Sequence, residues 1–135
     1  MNKLNSKTTR IVSALALSAG LFSVSNSAMA ASCSIETDYP NAQCQTKKTG
    51  ASTGSHKVTA KATAKDKITG RGVNGELMLI NQNGFGAISR KNFVGSTNIT
   101  YTSSVVGREY VARVSIASGE WRMKKLTASI SVQKV

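Results

Sequence analysis

One histidine, two cysteines and six acidic residues are the chain's main candidates for acid–base, nucleophilic or metal chemistry. A Ser-His-Asp or Cys-His centre needs a histidine base oriented by a third group. His56 opens a lysine-studded stretch with no carboxylate close in sequence, which places it at a strand edge or in a loop. Glycoside hydrolysis needs two carboxylates about 5–10 Å apart. Glu36, Asp38, Asp66, Glu76, Glu109 and Glu120 are scattered, and nothing in their spacing pairs them. "GFGAIS" lacks both the phosphate-loop lysine and the dinucleotide spacing. Zinc asks for about four nitrogen or sulfur ligands, and only His56 could join the two cysteines. The expectation is therefore no catalytic site, no cofactor and no metal.

Cys33 and Cys44 read instead as a disulfide, because an even pair in an exported chain is normally oxidised. The bond closes a short loop, worth about 3 kcal/mol in the chain-entropy model. On sequence grounds it staples the N-terminal segment rather than the main core.

Binding chemistry is better represented. "SHKVTAKATAKDKITGR", residues 55–71, holds five lysines or arginines with Val, Ala and Thr between them. Lys57, Lys61 and Lys65 share one parity and form a candidate polyanion-binding ladder. The plainer reading is a solvated face that also guards an edge strand. "SGEWRMKKL", residues 118–126, places Trp121 among Arg122, Lys124 and Lys125, a candidate membrane-interface set. The simpler placement of Trp121, the only tryptophan, is the core.

The elements that must position these groups come after an export signal. Lys3, Lys7 and Arg10 precede an uncharged run over 11–22, and "SNSAMA" ends with the A-x-A spacing of Ala28 and Ala30. Residues 1–30 are read as a signal peptide cleaved before Ala31. The same segment is too short and wrongly flanked for a membrane anchor. Removing 30 of 135 residues leaves 105, enough for one domain with a modest core. Three basic residues leave with the signal, taking the formal charge from +12 to +9. A secreted chain of that charge suits anionic partners: cell-envelope components, acidic polysaccharide, or a membrane surface touched peripherally. Nucleic acid is disfavoured, since the aromatics fall on core parity and no RNA-binding motif occurs.

Residues 31–54 show little periodicity and hold the only proline and "TKKTGASTGS", so they read as a disulfide-containing loop or linker. From residue 55 to 135, apolar and polar residues alternate in short runs. "GRGVNG", "NQNG", "VGSTN", "VVGRE" and "ASGE" supply turn chemistry between them. The pattern predicts an all-β sandwich or barrel-like domain of about six strands.

In texture, "SHKVTAKAT" and "WRMKKLTASISV" resemble the lactococcin-type bacteriocins, small exported basic β proteins. The cysteine pair departs from that pattern, and the resemblance stands as analogy. The functional expectation is a non-enzymatic cationic protein acting at anionic cell surfaces, antimicrobial or bacteriocin-like. The alternative is a secreted adhesion, matrix or inhibitor module for a protein or polysaccharide. Oligomeric state is left open.

Overall fold

The computed structural model describes residues 28–82, 86–117 and 119–135. Most of the expected signal peptide lies outside the described residues. Ala28, Met29 and Ala30, at its end, already belong to a strand. Seven strands follow one another: β1 (Ala28–Thr37), β2 (Gln43–Gln45), β3 (His56–Asp66), β4 (Asn74–Asn81), β5 (Ala87–Ser103), β6 (Tyr110–Ile116) and β7 (Lys124–Lys134). They pair antiparallel in the order β1-β7-β3-β5-β4-β6-β2. The all-β sandwich expected from the sequence forms, with seven strands rather than about six.

Two local readings are corrected. Residues 31–54 are not simply a loop, because β1 and β2 lie in this tract. β1 alternates, but with small residues: Ala31, Cys33 and Ile35 are half-buried while Ser32, Ser34 and Glu36 are exposed. Alanine and serine give such a strand almost no contrast in hydrophobicity. The second correction concerns "VGSTN", which is not a turn. The chain runs through it as part of β5, seventeen residues long.

β5 belongs to both layers. Its first half pairs with β4 and its second half with β3. The handover falls at Gly95, whose φ of 89° is open to glycine at little steric cost. Directly against it stands Gly72, where a Cβ would lie 2.8 Å from the Gly95 Cα and N atoms. This backbone-to-backbone approach lets the continuous ribbon fold over itself.

The folded ribbon encloses one core. One layer contributes Val58, Ala60, Ala62 and Ala64 from β3 and Leu126, Ala128, Ile130 and Val132 from β7. The other contributes Leu77 and Leu79 from β4 and Tyr110, Ala112, Val114 and Ile116 from β6. Burial alternates residue by residue along β3. The i, i+4, i+8 spacing of Lys57, Lys61 and Lys65 would also suit one face of a helix, but this alternation is that of a strand.

At the far side β1 and β2 are the two ends of the strand order. They are joined by the Cys33–Cys44 disulfide, with Cα atoms 6.1 Å apart. The expectation that this bond serves only the N-terminal segment is corrected: Cys44 is buried in the core, and the bond ties the last strand of one layer to the last of the other.

Two outcomes follow. Intact mass of the native protein is lower by two hydrogens than the reduced chain, and the double variant C33S/C44S melts lower by roughly 10–20 °C. In urea, Gly72→Ala loses about 1–3 kcal/mol through overpacking at the fold-over. Gly54→Ala, where an added Cβ meets nothing within 4 Å, serves as the near-neutral control.

Candidate functional site

The outer face of β1, β7, β3 and β5 is the most regular surface of the molecule. Every odd residue of β3 from Lys57 to Lys65 points to it, and Lys57, Lys61 and Lys65 are exposed. At about 3.3 Å per residue, lysines four apart stand about 13 Å from one another. Between them Thr59 and Thr63 are half-buried. The register continues the polar character sideways. Ser32, Ser129, Lys61 and Asn98 lie in one row across the four strands. Ser34, Thr127, Thr63 and Ser96 form the next, with the Thr63 and Thr127 hydroxyls 2.6 Å apart. Ser131, Thr59 and Thr100 form a third. A shallow depression of about 370 Å³ opens on this face, lined by Ser32, Thr59, Lys61, Ser129 and Ser131 among others.

β3 is flanked by β7 on one side and β5 on the other. Its lysines therefore do not guard an edge strand, and that part of the sequence reading is corrected. The hydroxyl rows around them were missed at the sequence level. Thr127, Ser129 and Ser131 alternate visibly with apolar residues, but only the register reveals that they share a surface with Lys61.

A second cavity, about 550 Å³, lies between β4, β5 and β6 and includes Glu76, Asn92 and Ser115. Glu76 is its single carboxylate, and Arg90 stands 3.9 Å from it. Asp66 and Glu120 do come together, around Arg122. The guanidinium donates to Glu120 through Nε at 2.6 Å and Nη2 at 2.9 Å, and its Nη1 is 3.3 Å from Asp66. The Arg122 hydrogen bonds pull the Glu120 carboxyl down to about 2. Asp66 accepts from the Thr69 and Ile68 backbone N–H groups, which likewise hold it below the usual carboxylate range. Both carboxylates are thus engaged within the protein, by the Arg122 guanidinium and by the N–H groups of the turn.

His56 is neither at an edge nor in a loop. It is buried at the start of β3. Its Nδ1 lies 2.6 Å from the Gly54 carbonyl oxygen, which can only accept, so Nδ1 donates. Nε2 then accepts from the Tyr110 hydroxyl, also at 2.6 Å. Arg108 donates to the Tyr101 hydroxyl at 2.8 Å, and the Tyr101 and Tyr110 rings meet edge-on. Burial raises the Tyr110 phenol above its ordinary value. The histidine is used to satisfy a buried phenol.

The Trp121 segment departs from expectation most. Trp121 is 70% exposed and so is not a core residue. Lys124, offered as a membrane-facing cation, is fully buried. Its parity along β7 sends the stem inward, and its ammonium donates to the Glu120 and Arg122 carbonyls at 2.8 and 3.1 Å. Arg122 is occupied by the two carboxylates. Of the four residues, Trp121 and Lys125 are turned to solvent, and Lys125 has no ion pair among the described residues. Ile68 and Met123, which sequence reading passed over, are exposed on the neighbouring turn and the same segment.

No protein-family model matches the chain, and no curated protein matches it in sequence. Solved structures align with it over most of its length. A carbohydrate-binding module, TmCBM61, solved with β-1,4-galactotriose, aligns at a TM-score of 0.50 and 10% identity, over 77% of this chain and 70% of that one. PliG of Aeromonas hydrophila, a periplasmic inhibitor of g-type lysozyme, aligns at 0.43 and 12% identity, over 79% and 85%. A xylanase CBM36-1 domain from the hindgut metagenome of Trinervitermes trinervoides aligns at 0.36 and 12%, over 74% and 77%. At 10% identity the likeness to TmCBM61 is one of fold alone.

The Arg122 clamp has a pH signature. Glu120 is depressed from 4.5 to about 2, so its stabilising contribution is complete above about pH 4.5 and fades as pH falls toward 2. Melting curves of the native protein and Glu120→Gln therefore differ by a constant amount above about pH 4.5 and converge below it.

Proposed function

We propose that this chain is an exported, non-catalytic binding module whose β1-β7-β3-β5 face engages an acidic polysaccharide of the cell surface. The carrying observation is the ladder of Lys57, Lys61 and Lys65 set among rows of serine, threonine and asparagine on a central strand. Hydroxyl and amide groups suit the hydrogen-bonding periphery of sugars, and each lysine suits a carboxylate, sulfate or phosphate on them. A separation of about 13 Å exceeds the Debye length of about 8 Å at physiological salt. Each lysine therefore meets its own anion with little repulsion from the next. A central strand has its backbone groups already paired, so protection against edge-to-edge association does not account for these charges.

Recognition spread over single charges and neutral hydrogen bonds is strongly salt-dependent and gains from a long, repeating ligand. The fold is compatible with this use, as the galactotriose-bound module of similar architecture illustrates. Export through residues 1–30 belongs to the same proposal. The comparisons lend no support to an antimicrobial role.

Charge reversal in K57E/K61E/K65E is expected to weaken binding to immobilised heparin, a model acidic polysaccharide, at least about tenfold at low salt. The melting temperature stays close to native because all three side chains are solvent-exposed. Retention unchanged from the native protein would overturn the assignment of this face.

A further inference from the structure

Strand β3 ends and β7 begins at the same pole of the sandwich, and there the polar surface gives way to an apolar tip. Ile68 is 83% exposed, Trp121 70% and Met123 42%. The turn bearing Ile68 and the segment bearing Trp121 and Met123 are fastened together. The Lys67 N–H donates to the Met123 carbonyl at 2.8 Å, and Arg122 reaches across to Asp66 at 3.3 Å. Asp66 in turn accepts from the Ile68 and Thr69 N–H groups. From below, the buried Lys124 ammonium holds the Glu120 and Arg122 carbonyls. Four charged or polar attachments therefore hold the tip, and none of them uses the three apolar side chains. Their exposure is built into the backbone geometry.

Around the tip stand exposed cations. Lys65, Arg71 and Lys125 have no ion pair among the described residues, and Lys67 shares a half-exposed contact with Glu36 at 3.2 Å. Lys65 and Lys125 are direct cross-strand partners. An indole beside an isoleucine and a methionine, with lysine and arginine at the margin, matches the layering of a bilayer surface: acyl chains first, phosphates next. A sugar ring would use the flat indole but has no complement for a projecting isoleucine.

We propose that this tip docks peripherally on the surface of an anionic phospholipid bilayer, with Trp121, Ile68 and Met123 entering the headgroup region and Lys65, Arg71 and Lys125 meeting lipid phosphates. The site is separate from the polysaccharide face except at Lys65, and it stands or falls independently. Preorganisation matters here because little side-chain and loop ordering remains to be done on contact. Each basic residue near a charged surface adds attraction that salt removes.

The test uses the native protein and vesicles of phosphatidylglycerol, with phosphatidylcholine vesicles as the neutral comparison. Trp121 is the only tryptophan, so its emission reports the tip alone. Emission is expected to start red-shifted, move to the blue on adding phosphatidylglycerol, and return with added salt, while phosphatidylcholine has little effect. In co-sedimentation, Ile68→Ser and Trp121→Ser each lower partitioning about tenfold or more. K57E/K61E, on the face but away from the tip, partitions like the native protein while its heparin binding is weakened, which separates the two sites. Melting temperatures of the serine variants confirm that folding is intact. The proposal is overturned if phosphatidylglycerol leaves Trp121 emission unmoved. It is equally overturned if Ile68→Ser and Trp121→Ser sediment as the native protein does, or if acidic polysaccharide shifts Trp121 emission where vesicles do not.

Discussion

The close approach of Gly72 to Gly95 is the constraint on which the rest of the molecule depends. One strand, β5, must serve two layers, and a ribbon of hydrogen-bonded strands can fold over only where two backbones can touch. At Gly72 an added Cβ would stand 2.8 Å from the Gly95 backbone, and at Gly95 the demand is conformational, a φ of 89°. Once the ribbon folds, its apolar faces meet, and the sizes of the core residues follow. β3 offers Ala60, Ala62 and Ala64, so the layer opposite can bring Leu77, Leu79 and Tyr110 without overfilling the space. The opposite side has no equivalent backbone continuity. There β1 and β2 are closed covalently through Cys33 and Cys44. The two layers are hinged by backbone on one side and tied by sulfur on the other.

This division of labour leaves one layer free to be regular. β7 pairs with β3 over eleven residues without a break, and β1 pairs with β7 over ten. The register shift of the sheet falls in the other layer, between Leu79 and Ile80 where β4 meets β5. An unbroken register holds side chains in rows, and rows are what turn separate serines, threonines and lysines into a surface. The small inward residues of β3 and the polar outward ones are thus parts of one arrangement: alanine lets the layer pack close, and threonine and lysine on the alternate positions face out.

Much of this was legible in the sequence. Period-two alternation identified β3, β6 and β7, because apolar residues alternate there with lysine, threonine, serine or arginine, while β4 was legible as a short run apolar on both faces. It placed Lys57, Lys61 and Lys65 on one exposed face correctly. It failed where contrast in hydrophobicity vanished, as in the Ala/Ser-rich β1, and where glycine bends a strand rather than ending it, as at Gly95. It also failed where neighbours of opposite parity look alike. In "MKKL" nothing distinguishes Lys124 from Lys125, yet one ammonium is buried on two carbonyls and the other is in solvent. Pairing partners were beyond reach for a different reason. Which strand lies beside β3 is fixed by closure of the whole sheet, so the central position of the lysine ladder and the burial of His56 under Tyr110 could not be read locally.

Charge in this protein therefore does two kinds of work, and internal pairing separates them. Lys124 and Arg122 are consumed internally: each ties backbone or carboxylates at the pole and fixes the shape of the segment that carries Trp121. Lys57, Lys61, Lys65 and Lys125 make no such tie among the described residues and stay exposed. The first group costs a desolvated ammonium and returns a rigid tip; the second leaves its electrostatic attraction for something outside the molecule. The two proposed surfaces also differ in direction. The lysine and hydroxyl rows lie on the outer face of the sheet, whereas the apolar tip lies at the pole where β3 ends and β7 begins. A polymer lying across the rows would therefore leave the tip uncovered. Lys65, paired in register with Lys125, stands where the two surfaces meet.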